Sequence, residues 1–233
     1  MNEKKRAKRI HLKEVESTHL YALARRGEGR DLIVTAWRQT GGMGTKGRSF
    51  VSAEGGVYLS SLRFFDNLPA KQAFALMASA AVAVCETLES FGLKPIIKWA
   101  NDIHVNGKKI CGILTENSLS EQKIQCALTG IGLNVNNPLP DSLSDIATSM
   151  YLETGKKISV RKVTRRLLAN WKKPKGVEAY LTRLGYMGRE AELLVGDERL
   201  RCTLLSVDNE GGLTVETDGQ TKRFFAAEVS LLL

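Results

Sequence analysis

The stretch that decides the fold spans residues 98–116, KWANDIHVNGKKICGILTE. At its centre, Asn106-Gly107 is the dipeptide that best tolerates the positive φ angles of a two-residue type I′ turn, and the flanks DIHV and KKICGIL are strand-like. A tight hairpin follows. With two residues in its loop, the register pairs Val105 with Lys108, His104 with Lys109, Ile103 with Ile110 and Asp102 with Cys111. Alternation then puts Asp102, His104, Lys109 and Cys111 on one face and Ile103, Val105 and Ile110 on the other. The polar face carries a carboxylate and an ammonium, which is also the pattern of an ordinary cross-strand ion pair. Gly112 follows the lysine, where a missing side chain lets a ligand or another backbone come close.

Trp99 and Asn101 stand just upstream. KWANDI followed by KKICGILTE resembles the KWPNDI and KxxGIL signatures of biotin protein ligases, enzymes that join biotin to a carrier-protein lysine through biotinyl-AMP. With the segments below, the resemblance covers the chain from about Val15 onward and is specific because it combines spaced motifs. The fold it implies is α+β: a mixed-sheet catalytic domain of the biotin/lipoate ligase type over residues 10–185 and a small SH3-like β-barrel over 186–233, after a flexible basic tail at 1–9.

A length of 233 residues, 43% of them hydrophobic and 25% charged, suits one large domain or a catalytic domain with a small appendage. No run approaches the ~18 consecutive apolar residues of a membrane span, and the start MNEKKRAKRI does not lead into an apolar signal core, so the expected location is cytoplasmic, with no membrane partner. The four cysteines, Cys85, Cys111, Cys126 and Cys202, show no CxxC pair and no metal-ligand spacing with the three histidines, and read as free thiols with no protein-held metal. The net charge of +9 raises nucleic acid as a partner, but the Lys/Arg runs at residues 4–9 and 161–175 read as a solvated tail and helix face that would speed encounter with an acidic carrier. Nine residues are too few for a helix-turn-helix, so a ligase without specific DNA binding is expected.

In chain order, Ser17 or Thr18 caps a helix running to about Arg26. The resemblance adds a contact from this pair to biotin's ureido ring. LIVTAW at residues 32–37 is a buried strand that delivers the chain to Gln39-Thr40-Gly41-Gly42-Met43-Gly44-Thr45-Lys46-Gly47-Arg48, a loop whose amides and cations suit an anion. It resembles the family's GRGRxGR loop over the adenylate, with Gly42, Gly44, Gly47 and Arg48 kept and Met43 and Thr45 where the family usually has arginines. VYLSSLRF is a strand in which Tyr58, Leu59 and Ser60 resemble the family's biotin-lining segment. Residues 68–91 form a core helix with Pro69 in its first turn, and residues 123–135 a strand in which Asn134 matches the asparagine of the family's GxGxN segment. A polar loop follows to Met150, on the adenine side in this reading. Ser159 then caps a helix interrupted near Pro174, a second short helix runs to about Leu184, and short alternating strands fill the rest.

The chemistry implied by the resemblance brings two anions together, the biotin carboxylate and the α-phosphate of ATP. A fixed cation answers that need, and Lys109 is the candidate, with Asp102 and Arg48 as the other catalytic residues. Biotin contacts fall on Ser17, Thr18, Gln39, Gly42, Tyr58, Leu59, Ser60, Lys109, Gly112 and Ile113, and adenylate contacts on Gly44, Lys46, Gly47, Arg48, Lys98, Asn101 and Asn134. ATP and biotin are the substrates, with Mg²⁺ on the leaving pyrophosphate. A biotin carboxyl carrier protein domain is the partner, and a homodimer is compatible with the resemblance. Two alternatives stand beside this reading: a lipoate ligase of the same architecture, and a non-catalytic basic nucleic-acid-binding module.

Overall fold

A computed structural model describes residues 7–173 and 175–232 of the chain. Residues 1–6 of the expected basic tail, Pro174 and Leu233 lie outside the described residues. Lys8 and Arg9, expected to belong to that tail, instead open strand β1 (Lys8–Val15), where they pair in parallel with Leu32 and Ile33. Ser17 then accepts the His19 and Leu20 amides and starts α1 (Thr18–Leu23). A 3₁₀ turn follows and ends on Gly29 at φ 59°.

β2 (Leu32–Gln39) leads through the glycine-rich loop to β3 (Val57–Pro69). The strand thus takes Leu68 and Pro69, assigned from sequence to the next helix. After an irregularity between Phe64 and Leu68, those two residues pair with Ile124 and Lys123, at a strand end that tolerates proline's missing N–H. The helix, α2 (Ala73–Glu89), begins after a 3₁₀ turn. β4 (Ile96–Lys98), β5 (Asp102–Val105), β6 (Lys108–Ser120) and β7 (Lys123–Leu133) complete a seven-stranded mixed sheet of order β1-β2-β3-β7-β6-β5-β4.

Three helices come next: α3 (Met150–Thr154), α4 (Val160–Trp171), capped by Ser159, and α5 (Val177–Leu181). α2 packs against the sheet, α4 and α5, which is why it is apolar around most of its circumference. The segment Ala70–Glu89 is long and apolar enough to cross a membrane by length and composition, but 56% of its apolar window is buried within this protein. The opposite face of the sheet is covered by α1 and the glycine-rich loop, and there Ala22 joins Leu32, Val34 and Leu62 in a second, smaller core.

The chain ends in β8 (Glu190–Val195), β9 (Glu198–Val207), β10 (Leu213–Thr217), β11 (Gln220–Phe224) and β12 (Val229–Leu232), a five-stranded antiparallel sheet of order β11-β10-β9-β8-β12 with the size of a small β-barrel. It shares its core with the first sheet. The Trp99 indole donates to the Gly211 carbonyl at 3.0 Å, and the Phe74 ring lies where a Cβ on Gly211 would sit, 2.3 Å away.

The central hairpin forms as its turn dictates, with Asn106 at φ 49° and Gly107 at φ 81°. The expected register holds only for the two pairs nearest the turn. A β-bulge at Ile110 then puts Ile103 opposite Cys111 and Asp102 opposite Gly112. Cys111 therefore leaves the polar face and is fully buried beside Ile110 in the main core. The physical reason is burial: the bulge sends both consecutive apolar side chains inward, which strict alternation cannot do.

Candidate active site

The bulge brings Asp102, Lys109 and Gly112 together. Lys109 Nζ lies 2.7 Å from Asp102 Oδ1, and both side chains remain partly open to solvent. Its backbone is clamped as well, because the Lys109 amide donates to Ile146 O at 2.9 Å and its carbonyl accepts from the Thr148 amide at 2.8 Å. Gly112 makes room for the ammonium. A Cβ there would stand 3.2 Å from Lys109 Nζ, tighter than ordinary van der Waals contact.

Around this pair lies a cavity floored by the glycines of β6 and β7. Its walls include Ser17, Thr18, Gln39, Gly44, Leu59, Ser60, Asn101, Asp102, Lys109, Gly112 and Ile113, eleven of the residues expected from sequence. At its polar end the Gln39 amide donates to Ser52 Oγ, which leaves Gln39 Oε1 to accept from the Thr18 amide at 2.7 Å and its hydroxyl at 2.9 Å. Thr18 Oγ1 is also 2.9 Å from Ser60 Oγ. A second, larger cleft of about 710 Å³ opens on the other side of Lys109 and takes in Arg48, Lys98 and Asn134. Gly44, Thr45, Phe50, Asp102 and Lys109 border both spaces, so the cation stands at their junction. Burial lowers the pKa of Lys98, with Asp102 opposing that effect and Lys109 and Arg48 reinforcing it.

Four expected site residues are not brought into either space. The Tyr58 hydroxyl turns back to donate to the Ala53 carbonyl at 2.5 Å. Gly42 is a packing position, where a Cβ would meet Phe50 O at 2.3 Å and Ser52 Oγ at 2.4 Å. The Lys46 ammonium reaches across to Ser230 Oγ at 3.0 Å, and Gly47, at φ 71°, serves the turn beside it. Of the residues that do line the site, Asn134 spends its side chain on structure: its amide donates to Thr148 O and its carbonyl accepts from Asn137. Arg48 folds onto its own loop, donating to Thr45 O at 3.3 Å and Thr45 Oγ1 at 3.2 Å.

Sequence reasoning missed Phe50 and His19. Phe50 ends the glycine loop, and its ring lies over the cavity floor, 2.6 Å from where Gly132 would carry a Cβ and 3.5 Å from the same point on Gly112. That ring helps reduce the free space to about 40 Å³. A lone aromatic closing a polar loop was the available signal. His19 follows Ser17-Thr18 directly, and its place inside α1 gives it no local signal that separates it from a buried helix residue.

The family model described as "Biotin/lipoate A/B protein ligase family" matches residues 13–134, which contain the cavity, the hairpin and the glycine-rich loop. The chain belongs to that family. It is accordingly an enzyme of the ligase class. The bifunctional ligase/repressor BirA of Bacillus subtilis (strain 168) is 34% identical to this ligase over 227 residues, covering 91% of this chain and 69% of the relative. The biotin–[acetyl-CoA-carboxylase] ligase of Mycobacterium tuberculosis is 28% identical over 233 residues, covering 91% of this chain and 85% of its own. Among solved structures, the biotin protein ligase of Aquifex aeolicus in complex with biotin and ATP superposes with a TM-score of 0.76 at 31% identity, covering 96% of this ligase and 98% of that chain. The mixed sheet and small terminal sheet thus form an α+β fold that resembles the Aquifex ligase.

Proposed function

We propose that this ligase couples biotin to ATP as biotinyl-5′-AMP and passes biotin to a lysine of a biotin carboxyl carrier protein in the cytoplasm. The observation that carries the reading is Lys109 at the junction of a small, partly polar cavity and a larger cationic cleft. An acid in the first space and a nucleotide in the second would meet at that ammonium. The likeness to the Aquifex enzyme, whose complex holds biotin and ATP, supports the same pair of ligands here.

The residues divide the work by position. Lys109, clamped through its backbone and paired with Asp102, offers a preorganised positive charge where the carboxylate approaches the α-phosphate. Arg48 is free to leave Thr45 for a phosphate oxygen, because its present bonds are local and exposed. Gly44, and Lys46 and Gly47 after a loop movement, would add amides and charge. Lys98 adds charge from the cleft wall, Asn134 holds the backbone there through Thr148 O, and Asn101 holds the backbone of the smaller cavity through Ile113 O. Among the described residues no cluster of three His, Cys, Asp or Glu side chains could hold a metal ion. ATP would therefore bring Mg²⁺ on its own phosphates, with Asp102 as the adjacent carboxylate. In the transfer step, the carrier lysine arrives as an ammonium with an ordinary pKa near ~10.4. It must give up a proton before it can attack: Asp102 accepts hydrogen bonds from the incoming nitrogen and orients it, the proton passes to solvent, and the free amine forms the amide at the anhydride carbonyl as AMP leaves.

Biotin is favoured over lipoate by the polar end of the cavity. Thr18, Gln39 and Ser60 suit a cyclic urea, whereas a dithiolane brings neither an N–H nor a C=O to this polar end. Biotin-dependent exchange of pyrophosphate into ATP, measured against lipoate, tests the reading. Exchange with biotin alone is expected, and exchange with lipoate alone would overturn it.

A further inference from the structure

Buried polar atoms in a folded chain almost always have partners, so an orphan at a ligand cavity points to what the ligand must supply. His19 is 4% exposed and lines the cavity. Its Nε2 lies 2.8 Å from Glu116 Oε2 across the sheet, while its Nδ1 is fully buried with no hydrogen-bond partner among the described residues. Nδ1 stands over Gly130, 3.1 Å from where a Cβ would be, with Ser60 Oγ converging on the same point at 3.6 Å. A side chain at residue 130 would fill that corner.

The proton inventory fixes the character of the corner. An ionised Glu116 only accepts, so a neutral His19 donates from Nε2 and keeps the lone pair on Nδ1. Nearby, Gln39 Oε1 takes the Thr18 hydroxyl proton, and Ser60 can then give its own proton to Thr18 Oγ1. Two acceptor positions, Nδ1 and the free lone pairs of Ser60, are left side by side with no donor.

We infer that His19 is a specificity-determining residue of the acid cavity, whose Nδ1 accepts a ureido N–H of the substrate in a tautomer held by Glu116. This rests on the biotin reading above. A cyclic urea brings two N–H donors on its ring, whereas a dithiolane brings none and leaves Nδ1 buried and unpaired. Glu116 touches no ligand here; it is a positioning residue that acts through the imidazole.

Calorimetric titration with biotin in the absence of ATP tests the inference on the intact chain. His19→Ala is expected to weaken biotin binding roughly 10- to 100-fold, the consequence of stranding a buried N–H. His19→Asn, whose Oδ1 falls near the lost Nδ1 and also accepts, is expected to stay within about 3-fold of wild type. Glu116→Gln is expected to cost about 3- to 10-fold at unchanged melting temperature, because a carboxamide also permits the tautomer with the proton on Nδ1. A biotin analogue methylated at the matching ureido nitrogen should bind wild type poorly and lose much less on going to His19→Ala, since the deleted partners couple. If wild type binds biotin and His19→Ala binds equally well, or if each methylated analogue is discriminated equally by both proteins, the inference is wrong. If wild type fails to bind biotin at all, the functional reading itself fails. Should His19→Ala not fold, the Asn and Gln variants and the analogue series on wild type still decide the matter.

Discussion

The hairpin of β5 and β6 and the glycine-rich loop face each other across one cavity, and they are built in opposite ways. The hairpin buries Ile103, His104, Val105, Ile110 and Cys111 and clamps the Lys109 backbone on both sides. The loop has a bridge between Met43 and Ser49, a 3₁₀ turn and largely exposed side chains. Strained backbone and few buried contacts make a segment that opens at low cost. In the proposed reaction the charge that would have to be in place before substrates meet therefore sits on the element that resists movement. The groups that would close over a ligand, and Phe50, which would have to leave the cavity floor, sit on the element that yields.

The sharpest break of this comparison is Lys109→Ala. It should leave melting unchanged within a few degrees yet lower biotin-dependent pyrophosphate exchange by at least ~10²-fold, the scale for losing one preorganised charge-stabilising group. Near-normal exchange in a folded variant would move the decisive charge onto the loop.

His104 tests the rigidity of the hairpin. Burial, then the charge of Lys98, pushes its pKa down to about 4, and its ring is held by Tyr186 Oη at 3.1 Å. The folded state thus refuses a proton that the unfolded chain takes up below its ordinary pKa near ~6.5, so stability present above that pH falls as the pH drops toward 4. Between pH 7 and pH 5 the loss from this residue is about 2 kcal/mol, and His104→Gln should flatten that part of a urea-midpoint profile. An unchanged slope would mean that the acid loss originates elsewhere.

Asp102→Asn keeps the shape of the ion pair but not its charge, and transfer from preformed adenylate to the carrier should slow at least ~10-fold. Wild-type rates in both half-reactions would make Asp102 purely structural. On the loop, Thr45→Arg should slow release of the adenylate about 5-fold by adding one charge-assisted contact, while also freeing Arg48 from the hydroxyl that now holds it. Timed dissociation without carrier reads this, and faster release would show that Thr45 already serves closure. The smallest effect is expected from Phe50→Ala, a roughly 3-fold faster biotin association in stopped flow, since the ring need no longer be displaced. Slower association would mean that the ring guides the ligand rather than blocks it.

Local chemistry was legible where it is set within a few residues. The Asn106-Gly107 turn, the Ser17 and Ser159 caps and the strands of the terminal sheet depend on backbone preferences that neighbours do not override. Thr18, Gln39, Ser60, Lys109 and Gly112 could be placed in one cavity because two spaced motifs and the resemblance they carry came with an architecture. Tertiary structure decided the rest. Strict alternation put Cys111 with Lys109, but burying Ile110 and Cys111 together outweighs an unbroken ladder, and only the core behind β6 reveals that balance. Tyr58 and Lys46 have the right chemistry for a site, yet Ala53 O, five positions back along the chain, and Ser230 Oγ in the terminal sheet claim them. The same holds for His19, which becomes informative only when Glu116, 97 positions along the chain, takes one nitrogen and the floor at Gly130 leaves the other without a partner. A sequence specifies which groups a residue offers, and the long-range packing determines which of those groups are still unspent.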